Sequence, residues 1–207
     1  MNAFKAIRNN IPNTITCLNL FAGAMACVFA LKGNEPVGNL TSYQVAFIFI
    51  VLAAMFDFCD GLVARLLNSV SPIGKELDSL SDCVSFGLAP AMLLYAAMEH
   101  FNPGDVANYS AFLIAVFGAL RLAKFNVDTT QTTTFKGLPI PANAIFWLGY
   151  INMCYERDSM NFAVYLLILA LGWFMVCNMP MFSFKMKNFG IKSNWYRYLL
   201  VVIVVAL

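Results

Sequence analysis

Four aspartates, two glycines, an alanine and an arginine stand in a regular order between positions 57 and 82: Asp57, Asp60, Gly61, Ala64, Arg65, Gly74, Asp78 and Asp82. At about 100° per residue, Asp60, Gly61 and Ala64 share a helix face with Asp57, while Asp78 and Asp82 follow Gly74 at one-turn intervals. Two consecutive antiparallel helices joined near 68–72 bring the four carboxylates to one spot, with Gly61, Ala64 and Gly74 keeping the walls around it low. Such a cluster repels itself, and the run 45–56 ahead of it is apolar. An uncompensated aspartate there costs roughly 2.5–3.5 kcal/mol on insertion scales. Arg65 is one cation against four anions. Oxygen ligands of this charge select hard cations, Mg²⁺, Mn²⁺ or Ca²⁺, over zinc, which favours His and Cys. Mg²⁺ commonly shares its shell with substrate phosphates, so the chemistry indicated is cation-assisted handling of a phosphate-bearing ligand. Helix capping is the competing use of an aspartate. It suits Asp78 but not Asp57 and Asp60, which end an apolar run.

The elements that carry these residues belong in a bilayer. Of 207 residues, 60% are hydrophobic and 12% charged, with a mean hydropathy of +0.71, a composition foreign to a soluble domain of this length. Apolar stretches of helical length cover 12–31, 43–67, 78–98, 108–125, 141–155 and 161–179, which predicts an all-α, polytopic membrane bundle with six transmembrane helices. A further apolar stretch begins near Trp195 and runs only to Leu207, about 20 Å of helix against roughly 30 Å of hydrocarbon, so it is expected as an incomplete seventh segment. Residues 1–11 place Phe4, Ile7 and Ile11 on one face, with Lys5 and Arg8 elsewhere, the pattern of an interfacial N-terminal helix on anionic lipid. The apolar run that begins at Pro12 lacks a small-residue cleavage site, so it is read as a membrane span and not as a signal peptide. No repeat or second domain interrupts the chain, and residues 1–207 are expected to form one domain.

Charge then orients the bundle, because Lys and Arg collect in cytoplasmic loops. With six spans, one side holds eleven cations (Lys5, Arg8, Arg65, Lys75, Arg121, Lys124, Lys136, Lys185, Lys187, Lys192 and Arg197) and the other only Lys32 and Arg157. The aspartate cluster falls on the cation-rich side, the expected cytoplasmic face. The six cysteines, at 17, 27, 59, 83, 154 and 177, form no CxxC pair and read as small core hydrophobes. His100 is the only histidine and falls on the opposite side from the aspartates, which leaves it no catalytic part.

All eight fixed positions of the 57–82 segment match the signature of the CDP-alcohol phosphatidyltransferases, and the chain resembles that family from about residue 12 to residue 184. The resemblance implies an integral membrane enzyme, often a homodimer, that moves a phosphatidyl or phosphoalcohol group from a CDP-linked donor to a hydroxyl and releases CMP. It implies divalent cations, Mg²⁺ or Mn²⁺ and two of them, with Ca²⁺ as a possible stand-in. Carried onto this sequence, Asp57, Asp60 and Asp78 become metal ligands. Asp82 becomes the general base and a member of the same metal set. Gly61, Ala64, Arg65 and Gly74 line the donor pocket, joined by Asn13 and Thr16 of a PNxxT stretch.

Three further stretches, GKELDSLSD at 74–82, RLAKFN at 121–126 and GLPIPAN at 137–143, resemble the family's serine-using bacterial and archaeal members. The expected reaction is transfer of the phosphatidyl group of CDP-diacylglycerol to L-serine, at a cytoplasm-facing site in the cell's inner membrane. Arg121, Lys124 and Asn126 are candidates for the serine carboxylate or a lipid phosphate, with plain positive-inside anchoring as the equal alternative for the two cations. Gly137, Pro139 and Pro141 are read as shaping the turn into the fifth span. Membrane lipid is the other partner, and no nucleic acid is expected. Two other readings are weighed. A sister transferase would use inositol phosphate or glycerol phosphate. A small cation carrier would spread its acids across the bilayer midplane and often show inverted repeats.

Overall fold

The computed structural model describes residues 3–69, 71–127 and 135–181. Helix α1 covers Ala3–Leu31, α2 Ser42–Leu66 and α3 Pro72–Asp82. A π-helical turn, Cys83–Leu88, carries α3 without a break into α4, Ala89–Phe101. A 3₁₀ segment, Val106–Phe112, leads into α5, Leu113–Val127. Then come α6, Ile140–Arg157, and α7, Ala163–Val176. Two two-residue antiparallel pairings complete the description: β1, Pro36–Val37, with β2, Leu40–Thr41, and β3, Phe135–Lys136, with β4, Pro180–Met181.

The all-α membrane architecture expected from composition is what the chain adopts. Among the described residues, four helical stretches are long and apolar enough to cross a bilayer: Asn10–Leu31, Ser42–Leu66, Pro72–Phe101 and Val106–Val127. Helices α6 and α7 occupy the ranges expected for the fifth and sixth spans, but neither reaches that standard. The 18 residues of α6 end on Glu156 and Arg157. The 14 of α7 make about 21 Å of helix, short of a hydrocarbon core of roughly 30 Å. The N-terminal segment and first span, expected as separate pieces, form one helix that continues through Pro12. The expected C-terminal segment from Trp195 lies outside the described residues.

Burial follows two stripes. On α2 the buried positions Tyr43, Ala46, Ile50 and Ala53 recur every three or four residues, and Asp60 follows two turns on. On α1 the matching stripe is Thr16, Asn19, Ala22, Ala26 and Ala30. Alanines on both sides let the two backbones approach closely, the packing that substitutes for a hydrophobic driving force inside lipid. Around this seam Phe86, Leu93, Leu94, Met98, Trp147 and Ile151 fill the centre, each at most 1% exposed. Phe21, Leu31, Met55, Phe58, Leu66, Ile145 and Leu166 point outward, as a lipid-facing surface demands.

The bundle's two ends are tied by polar contacts. At the end away from the aspartates, Glu99 accepts from Gly104 N and Asn108 Nδ2 at 3.1 and 2.7 Å. At the aspartate end, Gly137 N and Leu138 N donate to Met179 O and Phe174 O at 3.0 and 2.9 Å, clipping the entry of α6 to the exit of α7. Gly137 sits at φ +75°, and a Cβ there would overlap Met175 O. The geometric role read for Gly137 is therefore met.

Candidate active site

The site forms where α2 ends and α3 begins. The α2 stripe that buries Ala46, Ile50 and Ala53 continues as Asp57, half-buried, and Asp60, 6% exposed. The helix stops at Leu66, and the chain turns through Asn68 in the left-handed region at φ 46°, a conformation asparagine tolerates better than most residues. Ser71 then caps α3, its Oγ accepting from Gly74 N at 3.1 Å, and Pro72 takes the first helical position, where its missing N–H costs nothing. This reversal carries Asp78 back beside α2.

The result is a tight acidic group. One carboxylate oxygen from each of Asp57, Asp60 and Asp78 lies within 4.8 Å of the other two. Among the described residues no lysine or arginine forms an ion pair with them, and Asp60 Oδ2 is buried with no hydrogen-bond partner. Three crowded anions with one orphaned buried oxygen form a donor set suited to a hard divalent cation, so the residues present fit the metal that the spacing suggested. Asp82 stands outside this trio. It lies one turn further along α3, and its Oδ1 accepts from Asn19 Nδ2 at 3.4 Å.

A cleft of about 230 Å³ adjoins the acids, and Asn13, Thr16, Asp60, Gly61, Ala64, Arg65, Gly74 and Asp78 line it. Every residue expected in the donor pocket is therefore brought together. A Cβ on Gly74 would sit 2.9 Å from Asn13 Oδ1 and 3.0 Å from Ser71 Oγ, so a larger residue there would push on both side chains. Arg65 folds back along α2, its Nε donating to Gly61 O at 2.8 Å, which leaves the rest of the guanidinium beside the cleft. Thr16 is 3% exposed and donates to Pro12 O at 3.0 Å. Lys75, Ser69 and Ser71 also line the cleft, and Ser69 Oγ is buried without a partner. These three were missed, because a lysine and two serines around a helix start read as a solvated turn.

The remaining candidates separate. Arg121 on α5 is 9% exposed, its Nε has no partner, and the Asp82 carboxylate is the charge that acts on it. Lys124 instead donates to Val176 O at 2.8 Å and Asn178 Oδ1 at 2.6 Å, fastening α5 to the end of α7. Asn126 donates to Ser79 Oγ at 2.9 Å, and its carbonyl accepts from Lys75 Nζ at 3.3 Å, which fastens α5 to α3. Neither Lys124 nor Asn126 lines the cleft. The sequence also gave no notice of Asn19, Ser81 and Ser85. Ser81 Oγ donates to Thr16 O at 3.2 Å and Ser85 Oγ to Asn19 Oδ1 at 2.7 Å. The available signal was their spacing, Asn19 one turn beyond Thr16 and Ser85 one turn beyond Ser81, inside otherwise apolar stretches.

The chain is also similar in sequence to several known proteins. The chain is 33% identical over 204 residues to the CDP-diacylglycerol-serine O-phosphatidyltransferase of Helicobacter pylori (strain J99), covering 95% of this chain and 80% of that protein. It is 34% identical over 180 residues to the protein of the same name from Bacillus subtilis, covering 86% and 92%. With the one from Methanocaldococcus jannaschii it shares 39% over 143 residues, covering 69% and 61%. The model of the CDP-alcohol phosphatidyltransferase family matches residues 9–183, a range that holds the acidic trio, Asp82 and the whole cleft. An apolar helical bundle, a carboxylate trio at a glycine-walled cleft and a match spanning most of the length lead to one conclusion: the chain belongs to the CDP-alcohol phosphatidyltransferase family.

Proposed function

We propose that this protein transfers the phosphatidyl group of CDP-diacylglycerol to the hydroxyl of L-serine, forming phosphatidylserine and CMP. The observation that carries the reading is the carboxylate trio within 4.8 Å on the edge of a cleft walled by Gly61, Ala64 and Gly74, in a chain whose relatives bear that enzyme's name.

In this reading Asp57, Asp60 and Asp78 hold divalent cation, Mg²⁺ or Mn²⁺, two ions in all with Asp82 at the edge of the set. When bound, the metal neutralises the pyrophosphate and stabilises charge on the departing CMP. The chain's own residues do the rest. Gly61, Ala64 and Gly74 let the donor approach the helix faces, with no glycine-rich loop involved. Asn13, Thr16 and Arg65 contact the nucleotide, and Arg65 and Lys75 add positive charge beside the phosphates. The serine hydroxyl attacks the phosphorus that bears diacylglycerol, the bond from that phosphorus to the bridging oxygen breaks, and the electron pair leaves with CMP. Asp82 takes the hydroxyl proton as the new bond forms, a contribution worth about 10²–10⁴-fold for a well-placed base. Arg121, buried and with a free Nε, offers a cation for the serine carboxylate, for which a guanidinium is well shaped; Lys124 and Asn126 hold α5 in place behind it.

The topology follows the same reading. Helices α6 and α7 complete six crossings, the site faces the cytoplasm, where CDP-linked substrates and serine are available, and two copies pair as a homodimer in the inner membrane. A cation carrier would distribute its acids across the bilayer, whereas Asp57, Asp60, Asp78 and Asp82 all sit around one helix reversal.

The test is direct. Purified protein receives labelled CDP-diacylglycerol with Mg²⁺ or Mn²⁺ and, in separate reactions, serine, inositol phosphate, glycerol phosphate or no acceptor, and CMP is measured. Serine-dependent release is expected. Release only with another alcohol would replace the acceptor, and no release with any acceptor would remove the enzyme.

A further inference from the structure

Resting on the reading of Asp82 as base, we propose that Asn19 of α1 is its positioning residue, with Ser85 setting the sense of the Asn19 amide. Asn19 is 0% exposed in the interior of an apolar span, and its side-chain polar atoms are both used. Nδ2 donates to Asp82 Oδ1 at 3.4 Å, and Oδ1 accepts from Ser85 Oγ at 2.7 Å. Ser85, also 0% exposed, reaches Asn19 O at 3.1 Å as well.

The assignment of nitrogen and oxygen in this amide follows from its neighbours. An ionised carboxylate only accepts, so the group facing Asp82 must be the NH₂; a serine hydroxyl can donate, so the carbonyl oxygen belongs on the Ser85 side. Turning the amide over would set oxygen against oxygen at Asp82. The hydroxyl of Ser85 therefore acts on Asp82 through Asn19.

The backbone around the pair is shaped for this contact. The π-helical turn begins at Cys83, immediately after Asp82, and contains Ser85. One turn beyond Asn19, a Cβ on Gly23 would overlap Ser85 Oγ and lie 2.8 Å from Ser85 Cα. Gly23 thus allows the π turn to press against α1, which delivers Ser85 to Asn19 and leaves the Asp82 carboxylate restrained on one oxygen. In this reading the second oxygen is the one that takes the substrate proton. Asn19 is fully buried, its Oδ1 is taken by Ser85 and its Nδ2 by Asp82, which leaves no acceptor on it for a metal or a substrate hydroxyl.

The experiment compares Asn19→Ala, Asn19→Asp, Ser85→Ala and Asp82→Asn in full-length protein, with kcat, the KM for serine, the KM for CDP-diacylglycerol and the thermal midpoint measured for each. Loss of a hydrogen bond to a charged group predicts a fall in kcat of about 10- to 100-fold for Asn19→Ala. Asn19→Asp, which as a carboxylate cannot donate and sets a like charge against Asp82, should fall at least as far. Ser85→Ala, which only frees the amide to turn, should fall about three- to tenfold. Both KM values should stay within about twofold and the midpoint should hold, the pattern of an interaction made in the transition state. Parental kcat in both Asn19 variants, alongside an inactive Asp82→Asn, would overturn the positioning role and leave the base in place. Parental turnover in Asp82→Asn would overturn the base and this inference together. If kcat, both KM values and the midpoint moved in parallel in Ser85→Ala as well as Asn19→Ala, the contact would be structural packing and the inference would fail.

Discussion

Asp57, Asp60 and Asp78 crowd three negative charges into a space with no paired cation among the described residues, and each aspartate is therefore expected to matter for metal before it matters for turnover. Asp57→Asn keeps the shape and removes one charge; Mn²⁺ affinity, read by titration of the purified protein, should fall by at least about 10- to 100-fold, the scale at which even the groups behind a ligand act. An unchanged affinity would remove Asp57 from the ligand set. Asp82→Asn should keep metal and CDP-lipid binding while turnover drops about 10²–10⁴-fold, and near-parental turnover would assign the base elsewhere. Gly74→Ala tests the cleft wall. Its Cβ would press on Asn13 Oδ1 at 2.9 Å and Ser71 Oγ at 3.0 Å, so the KM for CDP-diacylglycerol should rise by roughly tenfold, as misplacement of positioning groups does, with the KM for serine changing little.

Between the elements, the α1–α2 seam is the joint that sets Asn13 and Thr16 across the cleft from Asp60. Ala26 and Ala46 are both 0% exposed, and Ala26→Leu should destabilise the protein by about 1–3 kcal/mol through overpacking, seen as a lower thermal midpoint in detergent. Parental stability would mean that the seam is looser than its burial implies. Helix α3 depends on its start: Ser71→Ala deletes the contact to Gly74 N at 3.1 Å, a loss of about 1 kcal/mol for a helix cap. The helices themselves were legible in the sequence, because hydropathy over windows of about twenty residues reports the bilayer directly. Their ends were less so. The third span was read from residue 78, yet the helical stretch begins at Pro72 and runs to Phe101, since a proline at a first turn starts a helix and a polar first turn lies outside the hydropathy signal. Likewise α1 continues through Pro12. The two-residue strand pairs went unforeseen because they are made by chain ends meeting across a turn or between distant loops.

For the molecule as a whole, the apolar helices, the outward-facing Phe21, Met55, Phe58 and Leu166 and the family match make this an integral membrane protein. Its orientation is a proposal with a clear assay. In a background with the exposed Cys17 and Cys59 replaced, Lys75→Cys should react with an impermeant maleimide only from the cytoplasmic side, and Lys32→Cys only from the opposite side. The reverse labelling would invert the site. Chelation should abolish CMP release and added Mg²⁺ or Mn²⁺ restore it; activity that survives complete chelation would end the metal reading. By itself the sequence determined the membrane class and brought Asp57, Asp60 and Asp78 together, because hydrophobicity and helical spacing are local quantities that survive without coordinates. It also named most of the cleft, since Gly61, Ala64, Arg65 and Gly74 stand in the same short segment as the acids. Only the tertiary structure decided that Lys124 and Asn126 tie helices together, that Asp82 stands apart from the trio, and that Asn19 and Ser85 attend it. Those relations join residues 47 to 66 positions apart, and no spacing along one helix reports which side chains a second helix will bring within hydrogen-bonding distance.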